Sequence, residues 1–356
     1  MKSKWKSVVW CAMALAMGAV SVMTAHAGTL PTPTNHFYGP HFRNSVHFYE
    51  SDPAGPPAPV ILFIHGGGWV VGSKTDVQPH VQPLLDRGFA VASMNYRFSQ
   101  QGVFPAQIHD AKACVRLLRA NAASFNIDPD RIGVFGFSAG ANMAALLGTT
   151  GDLADVEGTV GDHVGTSSRV QAFAEVSGPI DLFAQGMFNT SPTSDISQLI
   201  GHPIPDINAN IDNPAYAGLV ELVTNGSANF HCTPDDPPAL LMHGQLDTVV
   251  PFSQAVDFDA AIQLEGSTST LVLLPNEPHE VAFAEYEVVY DFFVGEFFPM
   301  VPGDVTGEGI VNIDDLIMVI NAFGMDCSID PCPEDVNDSG MVNIDDILDV
   351  INAIVG

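Results

Sequence analysis

An α/β domain built round a mostly parallel sheet, followed by a small all-α module, is the architecture this sequence predicts. Three observations predict it. Six short apolar runs without polar alternation suit strands buried on both faces. Helix-periodic segments separate them, and strands alternating with helices are the pattern of a parallel sheet covered by helices. After Phe298 the composition changes: residues 303–356 hold 12 acidic residues, no lysine or arginine, and an internal repeat.

The elements follow in chain order. Lys2, Lys4 and Lys6, the apolar run Val8 to Val22 and the small residues of Ala25-His26-Ala27 form the pattern of a secretory signal peptide spanning residues 1–27, cut before Gly28. The run of 15 residues is short for a membrane span of roughly 20. The expected localisation is therefore secreted: extracellular, periplasmic or attached to the cell surface, with no span after signal removal. A large domain is expected over residues 28–298. Its strands are read at Pro59 to Ile64, Phe89 to Met94, Ile132 to Phe137, Val170 to Val176, Ala239 to Met242 and Thr270 to Leu274. From Gln107 to Phe125, residues Ile108, Ala111, Val115, Leu118 and Ala122 fall on one helical stripe, and Asn126-Ile127-Asp128-Pro129-Asp130 breaks it. Residues 182–238 are rich in Pro, Asn, Asp and Ser and lie between two core strands. They read as an insertion over the carboxyl edge of the sheet, where open α/β sheets bind ligands.

The formal charge is -29, and the last lysine or arginine is Arg169. Such a surface repels nucleic acid and anionic lipid. Of the cysteines beyond the leader, Cys114 falls in the helical stripe and reads as a buried apolar residue. Cys232 is open, and Cys327 with Cys332 suits a local disulfide in an exported chain.

Two glycine-rich motifs carry the chemistry. Gly136-Phe137-Ser138-Ala139-Gly140 follows a strand pattern and precedes a helical one, the context of a nucleophile elbow. His65-Gly66-Gly67-Gly68-Trp69 follows the strand ending at Ile64. Its glycines let backbone N–H groups face a cavity, so Gly67, Gly68 and Ala139 are the expected oxyanion donors. A serine nucleophile needs a base, and the base an orienting acid, in the chain order Ser, Asp, His. Asp247 follows the strand Ala239 to Met242, and His279 follows Thr270 to Leu274, so both fall at strand carboxyl ends. His243 competes as base but reads better as part of its glycine turn. Asp257 and Asp259 compete as acid but fall in a helical pattern.

Residues from Phe37 to Phe298 resemble α/β-hydrolase esterases of the hormone-sensitive-lipase-like and bipartite feruloyl esterase groups. The resemblance rests on Phe104-Pro105-Ala106-Gln107, Asp110, Leu117 to Ala122, Asp128 to Gly133, the elbow, and His243-Gly244 with Asp247 and Val250-Pro251. Phe137 before the serine, Ala141-Asn142 after it and Glu280-Val281 after the histidine depart from those groups. The resemblance implies carboxylic ester hydrolysis through Ser138, His279 and Asp247, with no metal needed for the chemistry. Acetyl or feruloyl esters of polysaccharides are the expected substrates. A lipase, amidase or peptidase of the same fold is the alternative, and a catalytically silent, calcium-dependent scaffold-binding protein is the alternative of another class.

The acidic end is a duplication. Val311-Asn312-Ile313-Asp314-Asp315 recurs as Val342-Asn343-Ile344-Asp345-Asp346, and Val319-Ile320-Asn321-Ala322 as Val350-Ile351-Asn352-Ala353, both 31 residues on. Each unit resembles half of a type I dockerin, so residues 299–356 are expected to form a dockerin-like module with two EF-hand-like repeats. Two structural Ca²⁺ sites follow from the resemblance: Asp304, Thr306, Glu308, Ile310, Asn312 and Asp315 in the first, Asp335, Asn337, Ser339, Met341, Asn343 and Asp346 in the second. A cohesin-like or cell-surface scaffold protein is the implied partner. Loop positions 10 and 11, hydroxyl pairs in dockerins of cellulose-degrading complexes, are Ile313-Asp314 and Ile344-Asp345 here.

Overall fold

The computed structural model describes residues 30–151, 153–184, 193–298, 303, 305, 311, 313–327, 332–337, 339–355. The expected signal peptide and most of the first acidic loop lie outside the described residues.

Eight strands form one sheet in the order β1-β2-β4-β3-β5-β6-β7-β8. They are β1 (Thr34–Phe37), β2 (Ser45–Tyr49), β3 (Ala58–Ile64), β4 (Ala90–Asn95), β5 (Ile127–Phe137), β6 (Ala172–Val176), β7 (Ala239–Gly244) and β8 (Ser269–Leu274). Strands β3 to β8 run parallel, while β1 and β2 add an antiparallel edge. That edge is absent from the sequence reading because an outer strand need not be uniformly apolar: β1 is largely exposed. Strand β5 begins at Ile127, ahead of the expected start, because Ala58 pairs with Ile127 before a register shift to Val60 and Ile132.

The apolar runs of β3 to β7 are largely buried, while the edge strand β8 is only half-buried. Along β3, Val60, Leu62 and Ile64 join one core, and Ile61 and Phe63 the other. The first core is covered by α2 (Ala106–Ala120), α3 (Ala122–Phe125), α4 (Ala139–Thr149) and α9 (Ser253–Glu265). The second packs under α1 (Gln78–Leu85) and α10 (Glu287–Phe297) through Val81, Leu84, Val289, Tyr290 and Phe293. Each such fully buried side chain contributes about 1.5–3 kcal/mol. The stripe expected from Gln107 to Phe125 is two helices, parted at Asn121, whose side chain caps the Leu117 carbonyl. A short α5 (Ala154–Glu157) brings Glu157 to Lys112 and Arg116 of α2.

Between β6 and β7 the chain is more helical than its composition suggests: α6 (Asp195–Ile200), α7 (Ile204–Ala209) and α8 (Ala217–Asn225). Their apolar faces, including Ile196, Leu199, Ile204 and Val223, join the first core. Beyond residue 303, α11 (Ile313–Asn321) and α12 (Ile344–Val355) begin 31 residues apart, at the sequence period of the repeat. Val319, Ala322, Cys327, Val342 and Val350 form a small core of their own. An antiparallel bridge joins Asp326 to Met341, and Cys327 is disulfide-bonded to Cys332. Cys114 is buried and free, and Cys232 is half-buried and free. No helix among the described residues is long and apolar enough to cross a membrane.

Candidate active site

Four loops leave the carboxyl ends of β3, β5, β7 and β8, adjacent strands or near neighbours in the sheet, and they carry the site. Ser138 follows β5 and caps α4 with φ 54° and ψ -120°, a strained conformation for a residue with a Cβ. Its flanking glycines are required sterically. A Cβ at Gly136 would overlap the carbonyl of Gly140, and one at Gly140 would overlap the carbonyl of Ile64. The Ser138 N–H donates to the Val176 carbonyl (2.8 Å), which ties the elbow to β6.

His279 reaches Ser138 from the loop after β8. Its Nε2 lies 3.0 Å from Ser138 Oγ, and its Nδ1 lies 2.7 Å from Asp247 Oδ2. Since a carboxylate only accepts, Nδ1 carries the proton and Nε2 is free to accept from the serine hydroxyl. The imidazole also packs on the Phe137 ring, 5.1 Å between centroids. Phe137, a departure from the resembling groups, thus packs against the His279 imidazole.

The Asp247 side chain is fully buried. Burial alone would raise its proton affinity, but bonds from His243, His279 and the Val250 N–H outweigh it and hold the carboxyl well below the usual carboxylate range. Oδ1 accepts the Val249 and Val250 N–H groups (2.7 and 2.8 Å), while Oδ2 faces both imidazoles. Asp257 and Asp259 lie on α9, outside this arrangement.

The glycine loop after β3 packs directly on the elbow: a Cβ at Gly66 would press on the Phe137 carbonyl and the Ser138 side chain. Gly67 and Gly68 have φ of 103° and 58°, conformations that favour glycine. Ala139 opens α4 immediately after the serine, so its N–H is among the unpaired donors of a helix start. His65, which heads the loop, stacks on Tyr96 (4.3 Å) and is pushed down to about 4 by burial, so it is a neutral structural ring.

Several residues join the site without having been assigned to it from sequence. His243 Nε2 lies 3.1 Å from Asp247 Oδ2 and 3.0 Å from the Val250 carbonyl, so it holds its turn and the acid together. Asn142, on the next turn of α4, donates to the carbonyls of Pro179 and Gly226 and fastens the insertion to the elbow helix. Asp195, at the start of α6, rests its carboxylate against Gly68. A signal for His243 was present in its proximity to Asp247; none existed for Asp195. A separate cleft of about 700 Å³, lined by Tyr38, His41, Arg97 and His163 among others, contains no member of this constellation. The hydrogen-bonded chain of Ser138, His279 and Asp247 is the better candidate, because it brings a hydroxyl, an imidazole and a carboxylate into contact.

The BD-FAE family model matches residues 46–262, more than half of the chain. The chain belongs to the BD-FAE family. Its relatives include Esterase LipQ of Mycobacterium tuberculosis, 30% identical over 251 residues, or 68% of this chain and 55% of that protein. The chain spans about half the length of the curated relatives it matches first. Among solved structures, a truncated carbohydrate esterase from gut microbiota is 28% identical, with TM-score 0.66 over 76% of this chain and 98% of that one. A bifunctional GH43-CE protein of Bacteroides eggerthii is 31% identical, with TM-score 0.65 over 73% of this chain and 37% of that one. The BD-FAE chain thus has the α/β-hydrolase fold, a mostly parallel eight-stranded sheet flanked by helices.

Proposed function

We propose that this chain is a secreted serine carboxylesterase that removes acetyl or feruloyl groups from polysaccharides. The observation that carries the catalytic part is the continuous chain Ser138 Oγ, His279 Nε2, His279 Nδ1 and Asp247 Oδ2, with separations of 3.0 and 2.7 Å. Ser138 Oγ attacks the ester carbonyl carbon while its proton passes to His279 Nε2. Asp247 stabilises the imidazolium that forms. The N–H groups of Gly67, Gly68 and Ala139 are assigned to the oxyanion, where losing one such donor typically costs about 10²–10³ in rate. Collapse of the tetrahedral intermediate expels the alcohol, which takes the proton back from His279. Water then repeats the sequence on the acyl-enzyme and releases the acid.

The carbohydrate ester is favoured by the two solved relatives described as a carbohydrate esterase and a GH43-CE protein. Secretion rests on the pattern of Lys2 to Ala27. Ser138→Ala is expected to abolish hydrolysis of p-nitrophenyl acetate while circular dichroism stays native. Turnover retained in that variant would end the assignment, and a panel of acetylated xylan, feruloyl, long-acyl and amide substrates would fix the class.

The C-terminal residues are proposed to be a dockerin-like module that binds two calcium ions and docks on a cohesin-like or cell-surface scaffold. Its second loop has a suitable donor set. Asp335 and Asp346 are buried, and Gly340 turns between them at φ 86°. Asn337, Ser339, Asn343 and the Met341 carbonyl complete the oxygens. Among the described residues, no three His, Cys, Asp or Glu side chains gather at one point, so the set depends on amide, hydroxyl and carbonyl oxygens. Asp335 accepts the Ser339 and Gly340 N–H groups, and Asp346 those of Asn337 and Asn343. Bound calcium would cross-link the loop and make folding of the module metal-dependent. The docking reading is supported by the apolar residues left exposed at repeat-related positions, Ile313 with Ile344 and Ile317 with Leu348. Calcium titration of the full chain by calorimetry is expected to give two sites, both lost on adding EGTA. No heat of binding would dispose of the calcium reading.

A further inference from the structure

The glycine loop assigned to the oxyanion is held by more than its own backbone. The Gly67 carbonyl accepts the Val70 and Val71 N–H groups (3.0 Å each), which closes the loop into a tight turn. A Cβ at Gly72 would overlap the His65 imidazole and the Gly66 carbonyl, so the tail of the loop lies against its head. Arg43 reaches this junction from the turn between β1 and β2. It stands two residues ahead of Ser45, which pairs with Asn95 at the end of β4. Its Nε donates to the Tyr96 carbonyl (2.6 Å). Its Nη2 carries two N–H groups and has two acceptors, His65 Nε2 at 3.4 Å and the Gly72 carbonyl at 3.3 Å.

The tautomer of His65 fixes the direction of the first of these bonds. Its Nδ1 lies 2.7 Å from the Gly66 carbonyl, which can only accept, so Nδ1 carries the proton and Nε2 accepts from Arg43. Tyr96 completes the circuit: its hydroxyl donates to the His65 carbonyl (3.0 Å), and its ring stacks on the imidazole. The guanidinium carbon lies 3.6 Å over the centre of the Phe98 ring, a cation–π contact that fixes its plane. Among the described residues no carboxylate stands within ion-pairing distance of Arg43. We propose that Arg43 is a positioning residue for ester hydrolysis, whose guanidinium clamps the head of the glycine loop to its tail and so holds the Gly67 and Gly68 N–H groups on the oxyanion. The inference rests on the esterase reading of Ser138 and on the assignment of this loop to the oxyanion.

The loop needs such a clamp. Residues 66–72 are glycine, tryptophan and valine alone, so the loop has no polar side chain with which to hold itself. Gly67 and Gly68 lie between the two clamped ends, and glycine has the widest choice of backbone conformations to lose. Ser99 holds the middle of the loop through the Trp69 carbonyl, while Arg43 joins its two ends. Oxyanion donors act on charge that develops in the transition state, so loosening them slows the reaction without weakening substrate binding. Acylation and deacylation both pass through that charge, so both slow together and KM stays put. A lysine at position 43 retains the charge. It replaces a planar fork that serves three acceptors and stacks on a ring with a single ammonium.

Arg43→Ala and Arg43→Lys in the full chain test this on p-nitrophenyl acetate, with active sites counted by complete fluorophosphonate labelling so that kcat refers to folded enzyme. Relative to wild type, kcat is expected to fall about 10–100-fold in R43A and about tenfold in R43K, with KM unchanged within about twofold. R43K retains the stem and the charge, and it decides the matter where R43A folds poorly. Phenylboronic acid supplies a readout that a merely structural role would not move, because it forms a tetrahedral anion on the serine. Its affinity should weaken by the same factor as kcat/KM. The inference is overturned if R43K turns over within about twofold of wild type, if the loss falls on KM alone, or if boronate affinity is unchanged while kcat falls. Ser138→Ala separates the two levels. If it retains turnover, the esterase reading fails and this inference falls with it. If it is inactive while R43K behaves as wild type, only the role of Arg43 is wrong.

Discussion

In the proposed mechanism the serine hydroxyl is a weak nucleophile, and the order of partners behind it is what would activate it. His279 can accept a proton at Nε2 only because Nδ1 is committed to Asp247, and Asp247 stays ionised because four donors surround it. Asp247→Asn keeps the shape but can present an amide N–H to His279, which favours the wrong tautomer. A fall in kcat of about 10³–10⁴ is expected at neutral pH, measured with p-nitrophenyl acetate. A loss of less than tenfold would mean that another acid orients His279. These three residues were legible in the sequence because each stands just beyond an apolar run, and the ends of such runs share one edge of a parallel sheet. Phe137 and Asn142 were visible only as departures; their contacts with His279 and the insertion required the fold.

Among the elements, the parallel strands were readable, the edge strand β8 included, and the antiparallel pair β1 and β2 was not. A strand buried on both faces writes a continuous apolar run, whereas β1 is largely exposed and β2, though mostly buried, carries Ser45 and His47 among its five residues. The insertion was placed by its position between two strands, but its helices were not foreseen, because α6 and α7 are only six residues each and too short to write a period. Helix α6 nonetheless shapes the site. It delivers the Asp195 carboxylate to Gly68, and burial raises the proton affinity of that carboxyl, a sign that it is partly desolvated. A negative charge there disfavours a second one nearby. Asp195→Asn is therefore expected to raise kcat/KM for esters with an anionic acyl group, such as a succinyl monoester, several-fold more than for acetyl esters. Equal effects on both substrates would show that Asp195 does not sense substrate charge.

For the whole molecule, stability against pH is set by buried groups that respond in opposite directions. Burial pushes His65 and His80 down to about 4. Their folded pKa lies below the unfolded value, so the stability they contribute is present above about 6.5 and is lost as pH falls toward 4. Glu175, raised to about 7 by burial, works the other way: its contribution is present below its unfolded value and is lost as pH rises through 7. His243 is raised too, despite burial, by Asp247 and Glu175, and acts in the same sense as Glu175. Each of the large shifts is worth roughly 3 kcal/mol. Two large histidine terms stand against one large carboxyl term. Burial also lowers His36, His47, His109 and His231, so the acid-side loss prevails. The melting temperature is expected to fall by roughly 6–10 °C between pH 7 and pH 4.5. His80 is the term that can be removed without touching the site, because its ring lies among Phe63, Phe135, Phe283 and Tyr286, where a phenyl ring fits. His80→Phe gives up one hydrogen bond to the Tyr290 hydroxyl and lowers stability at pH 7 by about 1 kcal/mol. It should also shrink the acid-side fall in melting temperature by about half, followed by scanning calorimetry at fixed salt. A fall of unchanged size in His80→Phe would mean that the acid sensitivity comes from elsewhere, with the carboxylates held below their usual range as the next candidates.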